Sequence, residues 1–352
     1  MPKWGESMSQ AFEYFSVNPD TWLDEKSIRD VLAFYANRDA TAETLVSASL
    51  SCGSDLGEIY IRAYLTTIQN GIKERFPICT VLIQTPSISF DGKSHSIDMD
   101  AYSPLIELKE KMPPIGYTVR RGQNIMETAY QLCRSYMRAP VTPAKCSDIL
   151  VADFVADTSD TWLSFISDLI SQAKYTLELD AKGNVTFAPV IATASMQPVC
   201  TFDDGNSSIL YSDVTVERDL YGIPNVVEVL YSSSDLTLFA RVINDDPNSP
   251  TSTVNRGREI IYRDTNPSFS GTANQAQINE YAQKLLREKS ALEYTVKYSH
   301  GYNGNRVGDC VRLNYDRAGI RDIKAKVIAQ DIDCSAGCKV TETATYTVNM
   351  WK

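Results

Sequence analysis

Alternation of apolar and polar residues recurs along most of the chain, and it constrains the fold more than any other sequence feature. It is clearest in residues 340–348, where Val340, Ala344, Tyr346 and Val348 alternate with four threonines. A period of two places the apolar side chains on one face of an extended strand and the threonines on the other. One face is therefore expected to be buried and the other solvated, as in an antiparallel sheet.

Runs of this kind form two blocks, at residues 27–111 and from about residue 208 onward. Their length, and the Gly, Pro, Asn and Asp residues that bound them, indicate short strands; closely spaced short strands are typical of a small barrel or sandwich. Pro113 and Pro114 end the first block, because consecutive prolines continue neither a ladder nor a helix. The predicted strands are 28–36, 44–51, 58–68, 78–84, 87–90, 226–231, 237–243, 258–262, 292–298, 309–314, 323–332 and 340–348.

The region between the two blocks has the apolar period of helices. Apolar residues at helical spacing predict one helix over residues 123–136 and another over 160–173. Asn124 fits a capping position at the first helix, and Ser159 or Asp160 can cap the second.

A hairpin is predicted after these helices, over residues 175–187, with its turn at 181–184. A third helix, over 276–289, interrupts the second β block. The fold class is therefore α+β and mainly β, with two small β-barrel domains joined by an α+β middle segment. The expected parts are an N-terminal extension at 1–24, a first β-barrel domain at 25–115, an α+β middle domain at 116–207 and a second β-barrel domain with one inserted helix at 208–352.

Charge and hydropathy exclude several classes of function. The 352 residues carry 34 Lys and Arg against 44 Asp and Glu, a net charge of −10. An acidic chain without a basic run is not expected to bind nucleic acid specifically. No stretch approaches 18 apolar residues, so no membrane insertion is expected. The first seven residues contain no apolar core of a signal peptide, which predicts synthesis in the cytoplasm without signal-peptide export.

The cysteines do not indicate a metal site. Eight are scattered along the chain without a CxxC motif, and the tightest pair is Cys334 and Cys338. With two histidines in the chain, this pair does not fit a Cys/His zinc site of usual spacing. Buried free thiols in a reducing cytoplasm are the expected state.

Motifs of known catalytic or cofactor chemistry are missing from the sequence: GxSxG, HExxH, Walker A and GxGxxG do not occur. Gly301, Gly304 and Gly308 could cradle a phosphate, but they lie between two predicted strands, which favours a hairpin loop. His95 and His300 are each expected in a loop and have no motif partner. We therefore predict no catalytic, cofactor-binding or metal-ligating residue, and no cofactor.

Paired carboxylates and one lysine pair are the remaining candidates. Glycoside hydrolysis needs two carboxyl groups held across a sugar-binding cleft. Residues 203–206 resemble part of a calcium loop, but lack its later glutamate, so a solvated turn is favoured. Lys324 and Lys326 share one face of a strand and are expected at solvent or an interface. The carboxylate pairs are Asp98/Asp100, Asp203/Asp204 and Asp245/Asp246.

Several phrases occur in an order that resembles one family. They are GQNIMETA at 122–129, WLSFISDLISQA at 162–173, YTLELDAKGNVTFAP at 175–189, IPNVVEV at 223–229, ARVINDDPNSP at 240–250, GREI at 257–260, the helix around 282–286 and VGDCV at 307–311. Together they resemble the baseplate hub, or tail-hub, proteins of tailed phages and contractile injection particles, the late-control-D-like hubs. The resemblance covers roughly residues 25–350.

The resemblance implies a structural protein and not an enzyme. It implies a homotrimer whose six similar barrels form a pseudo-hexameric ring around a DNA channel. The expected partners are the tail tube or distal tail protein, a tail-tip or spike protein, and the tape-measure protein in the lumen. The expected location is the virion tail, assembled in the host cytoplasm. The loops at 245–255 and 265–274 are expected at contacts between copies.

Two alternatives remain open on the sequence. One is a carbohydrate-active or receptor-binding tail-tip protein that acts on the cell wall. The other is a cytoplasmic β-rich binding protein unrelated to phages.

Overall fold

The computed structural model describes residues 2–90, 92, 95–205, 208–232, 236–267, 269 and 273–349, without the side chains of His95 and Asn349. It divides into two compact units. Unit 1 comprises residues 1–214 and 298–344, and unit 2 comprises 215–297 and 345–352. None of the helices in these described ranges is long and apolar enough to cross a bilayer.

Residues 9–102, which include most of the first β block, form seven strands, β1 to β7. β1 lies within residues 1–24, which are predicted as an N-terminal extension, and it pairs antiparallel with β5 from Ser9↔Ile68 to Val17↔Tyr60. The predicted strands 78–84 and 87–90 are one strand, β6, with an irregularity near Pro86. The strands are β1 (Ser9–Val17), β2 (Asp24–Ile28), β3 (Val31–Asp39), β4 (Val46–Cys52), β5 (Tyr60–Gln69), β6 (Ile72–Phe90) and β7 (His95–Tyr102).

The middle of the chain contains the predicted helices and hairpin. Asn124 caps α2 by accepting a hydrogen bond from the Glu127 amide at 2.9 Å. The prediction of Ser159 or Asp160 as the second cap is wrong, because Thr161 is the N-cap of α3 and forms a capping box with Ser164. The elements are α1 (Ile106–Lys109), β8 (Thr118–Val119), α2 (Ile125–Tyr136), β9 (Phe154–Val155), α3 (Trp162–Ser171), β10 (Tyr175–Leu179) and β11 (Val185–Pro189).

The last part of the chain supplies the second β block. A short 3₁₀ turn (Thr193–Ser195) precedes it and another (Asp316–Ala318) lies within it. The elements are β12 (Cys200–Asp203), β13 (Leu210–Arg218), β14 (Val226–Ser232), β15 (Thr237–Ile243), α4 (Thr253–Arg256), β16 (Ile261–Asp264), α5 (Gln275–Lys289), β17 (Ala291–Gly301), β18 (Cys310–Tyr315), β19 (Ile320–Asp333) and β20 (Lys339–Asn349).

One large sheet contains strands of both β blocks. Its hydrogen-bonded order is β13-β17-β20-β19-β3-β4-β7-β6-β5-β1-β2, and β12 joins it through β18 and β19. The link between the blocks is the antiparallel pairing of β19 with β3, from Ala329↔Asp39 to Asp333↔Tyr35. The mainly β class is thus confirmed. Among the described pairings this order has two open ends and does not close, so the two barrels stay a prediction.

Unit 2 has its own small core. β14 pairs antiparallel with β15 and parallel with β16, and α5 lies against this sheet. The buried residues Val227 and Val229 of β14 pack with Ile278, Ala282 and Leu286 of α5. The predicted inserted helix is therefore one element of a small α/β insertion.

Candidate functional site

The outer face of the sheet in unit 1 is polar. It spans β19, β3, β4 and β7, and holds a depression of about 470 Å³. Inward residues such as Phe34, Leu50 and Met99 form the core below it. Two rows of facing side chains cross the four strands: Asp333, Tyr35, Ser49 and Asp100 in one, and Asp331, Asn37, Ser47 and Tyr102 in the other.

Acidic and small polar side chains dominate this face. Asp98 and Asp100 project from β7, and Asp331 and Asp333 from β19. Asn37 donates a hydrogen bond to Asp331 at 2.7 Å across the strand pair. We call these four aspartates, with Ser47, Ser49 and Ser51, the acidic face. The acidic face is negative, because its four aspartates outnumber Lys339, the one cation among the described residues that line the depression.

A carboxylate lies buried on β20. Glu342 is 0% exposed, and its two oxygens accept three hydrogen bonds. Tyr298 donates at 2.6 Å, Asn305 at 2.7 Å and Gln330 at 2.5 Å. His300 Nε2 lies 3.2 Å from the Glu342 Oε1 atom. The four neighbours of this carboxylate therefore come from β17, the following loop and β19.

The pKa of Glu342 follows from these contacts. Burial alone would raise it, but the imidazole of His300 beside the carboxylate, with hydrogen bonds from Tyr298 and Gln330, holds the pKa of Glu342 below its ordinary value. Burial also raises the pKa of Tyr298 far above its usual range. Both effects favour an ionised glutamate that accepts from a neutral phenol. Since the whole cluster is enclosed, its role is to hold β17, β19 and β20 together.

His300 and Glu342 show where sequence reasoning failed. His300 was expected in a loop, which is wrong, because it lies in β17 and is fully buried. Glu342 was not singled out, although it occupies the apolar register between Val340 and Ala344. A charged residue in phase with the buried positions of a strand is the signal that could have identified it.

The candidate carboxylate pairs have different surroundings. Asp98 and Asp100 lie on the acidic face. Asp203 accepts from the Gly205 amide at 2.9 Å, and Asp246 from the Asn248 amide at 2.8 Å, so both close local turns. Asp91, Asn206 and part of the loop at 265–274 lie outside the described residues, and so does the His95 side chain.

The loop at 245–255 is folded onto its own unit. Ser249, Thr251 and Ser252 are at most 2% exposed, and Asn255 donates to the carbonyls of Pro247 and Ser249. It is therefore a packed part of unit 2, and deleting it would remove buried residues.

Unpaired strand edges are a further exposed feature of the fold. β6 pairs with β5 through residues 72–82 and with β7 through 82–90, so residues 85–90 have one described partner strand. β13 lies at the end of the sheet order, beside β17. Ile88 and Phe90 are each 71% exposed, and Tyr211 of β13 is 41% exposed. Edges of this kind can pair with another chain.

Comparison with solved structures gives matches over nearly the whole chain. The tail protein from Neisseria meningitidis MC58 has a TM-score of 0.65 at 15% identity, with 95% of this chain and 96% of that chain covered. The 43 kDa tail protein of prophage MuSo2 from Shewanella oneidensis has a TM-score of 0.63 at 12% identity, with 97% and 99% covered. The chain has a phage tail-protein fold.

A third structure with the tail-protein fold, prophage tail protein gp18 from Listeria monocytogenes EGD-e, has a TM-score of 0.50 at 11% identity, with 94% of both chains covered. Neither a protein-family model nor a curated protein sequence matches the chain. The resemblance stated from the sequence phrases is thus confirmed at the level of this fold.

Proposed function

We propose that this protein is the structural hub of a phage or phage-like tail baseplate or tip. Three copies would form a pseudo-hexameric ring that joins the tail tube or distal tail protein to tail-tip or spike proteins. The ring would leave a channel for DNA, in which the tape-measure protein ends. The agreement with tail proteins over at least 95% of this chain carries the proposal. The role requires neither catalysis nor a cofactor, and it places the protein in the virion tail after assembly in the host cytoplasm.

The open edges suggest how the ring closes. Among the open edges of the described strands, each copy offers residues 85–90 of β6 and the strand β13. When one edge of a copy pairs with the other edge of the next copy, the contact is heterologous, and a threefold rotation closes it. Backbone hydrogen bonds would supply register, and the exposed side chains of Ile88 and Phe90 would become buried.

The acidic face supports the channel. The wall of a channel through which DNA passes without binding should carry no cluster of Lys or Arg. Such side chains neutralise phosphates, and the release of counterions then favours binding. The acidic face has four aspartates and small serines, with Lys339 as the cation in its depression. We therefore assign this face to the channel side of the ring.

Mass and symmetry measurements test the proposal. Mass photometry of the purified chain should give three times the 39.2 kDa chain mass, and negative-stain images should show a ring with a central hole. Phe90→Asp should shift the protein to monomers, because a buried unpaired charge destabilises an interface. Ile115→Asp is the matched control, since Ile115 is also exposed (92%) but lies in the segment between α1 and β8, outside any strand.

Two results would contradict the proposal. One is a wild-type particle that stays monomeric, without a hole, at every concentration and also with its tail-tube partner. The other is a Phe90→Asp variant that trimerises as strongly as wild type, which would refute the assignment of this edge.

A further inference from the structure

A cavity of about 240 Å³ lies inside unit 1 where distant parts of the chain meet. β3 and the segment before β4 form one wall, β10 another, and the loop before β18 together with β19 the third. Charged residues in its lining are Arg38, Glu178, Arg306 and Lys326. The cavity therefore brings three cationic side chains and one carboxylate together from segments that are far apart in sequence.

Arg38 is the most buried of these cations. It is 3% exposed; one Nη donates to Gln330 at 2.8 Å and the other to the Ile78 carbonyl. Its Nε atom has no hydrogen-bond partner within the described part of the chain. A buried guanidinium nitrogen without an acceptor costs free energy, so a bound ligand that supplies an acceptor to this nitrogen would be stabilised.

Arg306 adds a second guanidinium. Its Nη2 donates to the Leu179 carbonyl at 3.1 Å. Burial, and then the charge of Arg38, lowers the pKa of Arg306 to about 10. The two arginines are thus close enough to repel each other, and an anion between or beside them would relieve that repulsion.

The protein's own carboxylates lie near this group without pairing directly with it: the charges of Asp180 and Asp309 act on Arg306, and Lys326 acts on Glu178. Burial raises the pKa of Glu178, against the opposing charge of Lys326, and burial also raises that of Asp309. In the ranges that the structure describes, no carboxylate oxygen lies within the 4.0 Å ion-pair distance of the side-chain nitrogens of Arg38, Arg306 or Lys326.

We propose that this cavity binds a small tetrahedral oxyanion of the phosphate or sulfate class. Guanidinium groups present paired donors that match oxyanion geometry, and the lysine adds a point charge. A volume of 240 Å³ holds roughly eight waters at about 30 Å³ each, so one such anion fits with part of its hydration shell.

Gly308 belongs to the same wall, with φ +94°, and a Cβ there would lie 3.0 Å from the Glu178 carboxylate. Gly308 is one of the three glycines considered for a phosphate loop, and it lies beside the cavity. The positive charges that would bind an anion there come from Arg38, Arg306 and Lys326. Anion binding here does not depend on the proposed tail function, because the cavity lies within a single copy of unit 1, between β3, β10, β19 and the loop before β18.

Thermal unfolding of the intact chain tests this. At constant ionic strength, phosphate and sulfate should each raise the Tm above its value in chloride, by about 5–10 °C at a hundredfold excess over Kd. Isothermal titration with inorganic phosphate should give one site per chain. Lys326→Gln should weaken phosphate binding at least tenfold, whereas Lys326→Arg should restore most of it.

Lys324→Gln is the control, because it removes the same charge from the same strand while Lys324 bonds the Met196 carbonyl outside the cavity lining. Phenyl phosphate distinguishes the source: tighter binding than inorganic phosphate assigns the site to a phosphate monoester, and weaker or equal binding to the free ion. No Tm rise over chloride, or an undiminished rise in Lys326→Gln, would overturn the proposal.

Discussion

Glu342 offers the sharpest test of what stabilises unit 1. Its carboxylate accepts from Tyr298, Asn305 and Gln330, and lies against His300. In Glu342→Leu these buried donors lose their shared acceptor. Each unsatisfied buried group costs about 1–3 kcal/mol, although neighbouring losses do not add fully.

The expected total is about 3–5 kcal/mol, the range found when one partner of a buried charged pair is removed. For a domain of this size, about 2–4 °C of Tm accompanies each kcal/mol, so Glu342→Leu should lower the Tm by roughly 6–20 °C. Glu342→Gln should lose less, about 1–2 kcal/mol. Its amide oxygen still accepts, and the Tyr298 hydroxyl can accept from the new NH₂ group.

Differential scanning calorimetry measures both variants, and Glu110→Leu is the matched control, because Glu110 is exposed at the end of α1. The control should unfold close to wild type. A Glu342→Leu Tm within 2 °C of wild type would refute the argument, because it would mean that the buried donors find other acceptors without cost.

Three further predictions follow from single features. Folding lowers the pKa of Glu342, so the stability that its carboxylate contributes is complete above about pH 4.5 and is lost as the pH falls through the pKa of the folded state. The Tm difference between wild type and Glu342→Gln should therefore shrink below pH 4.5. A difference that widens would contradict this. Ellman's reagent should react first with half-buried Cys146, because burial raises the pKa of the other seven thiols. Cys146→Ser should abolish the fast phase of the reaction. An unchanged fast phase in that variant would refute the assignment to Cys146. Thr161→Ala should cost about 0.5–2 kcal/mol in urea unfolding by removing the α3 cap, whereas Thr158→Ala should have little effect; equal midpoints for the two would argue against the cap.

Local features were predictable because their signals lie within a few residues. The helix α2 begins at its Asn124 cap, the hairpin of β10 and β11 turns where Gly183 stands, and β15 has the predicted bounds Thr237–Ile243. Caps, turns and apolar periods act over one or two helical turns or strand pairs, so they are visible in the sequence.

Long-range pairings were not predictable in the same way. Strand β1 was missed within the predicted extension, because the pairing that stabilises it is with β5, more than forty residues away. The Arg38–Gln330 hydrogen bond joins residues 292 positions apart. No period or motif marks such partners, and a buried polar residue such as Glu342 reads as an interruption of the strand pattern until its neighbours are known.

The sequence by itself thus determined the mainly β class, the helical middle and the approximate positions of many strands, because alternation and capping are properties of neighbouring residues. The tertiary structure alone decided that one sheet joins both β blocks, that four aspartates share its outer face and that Arg38, Arg306 and Lys326 surround one cavity. These arrangements depend on which strands pair across the chain, and that choice is made by the burial of the whole core and not by any one segment.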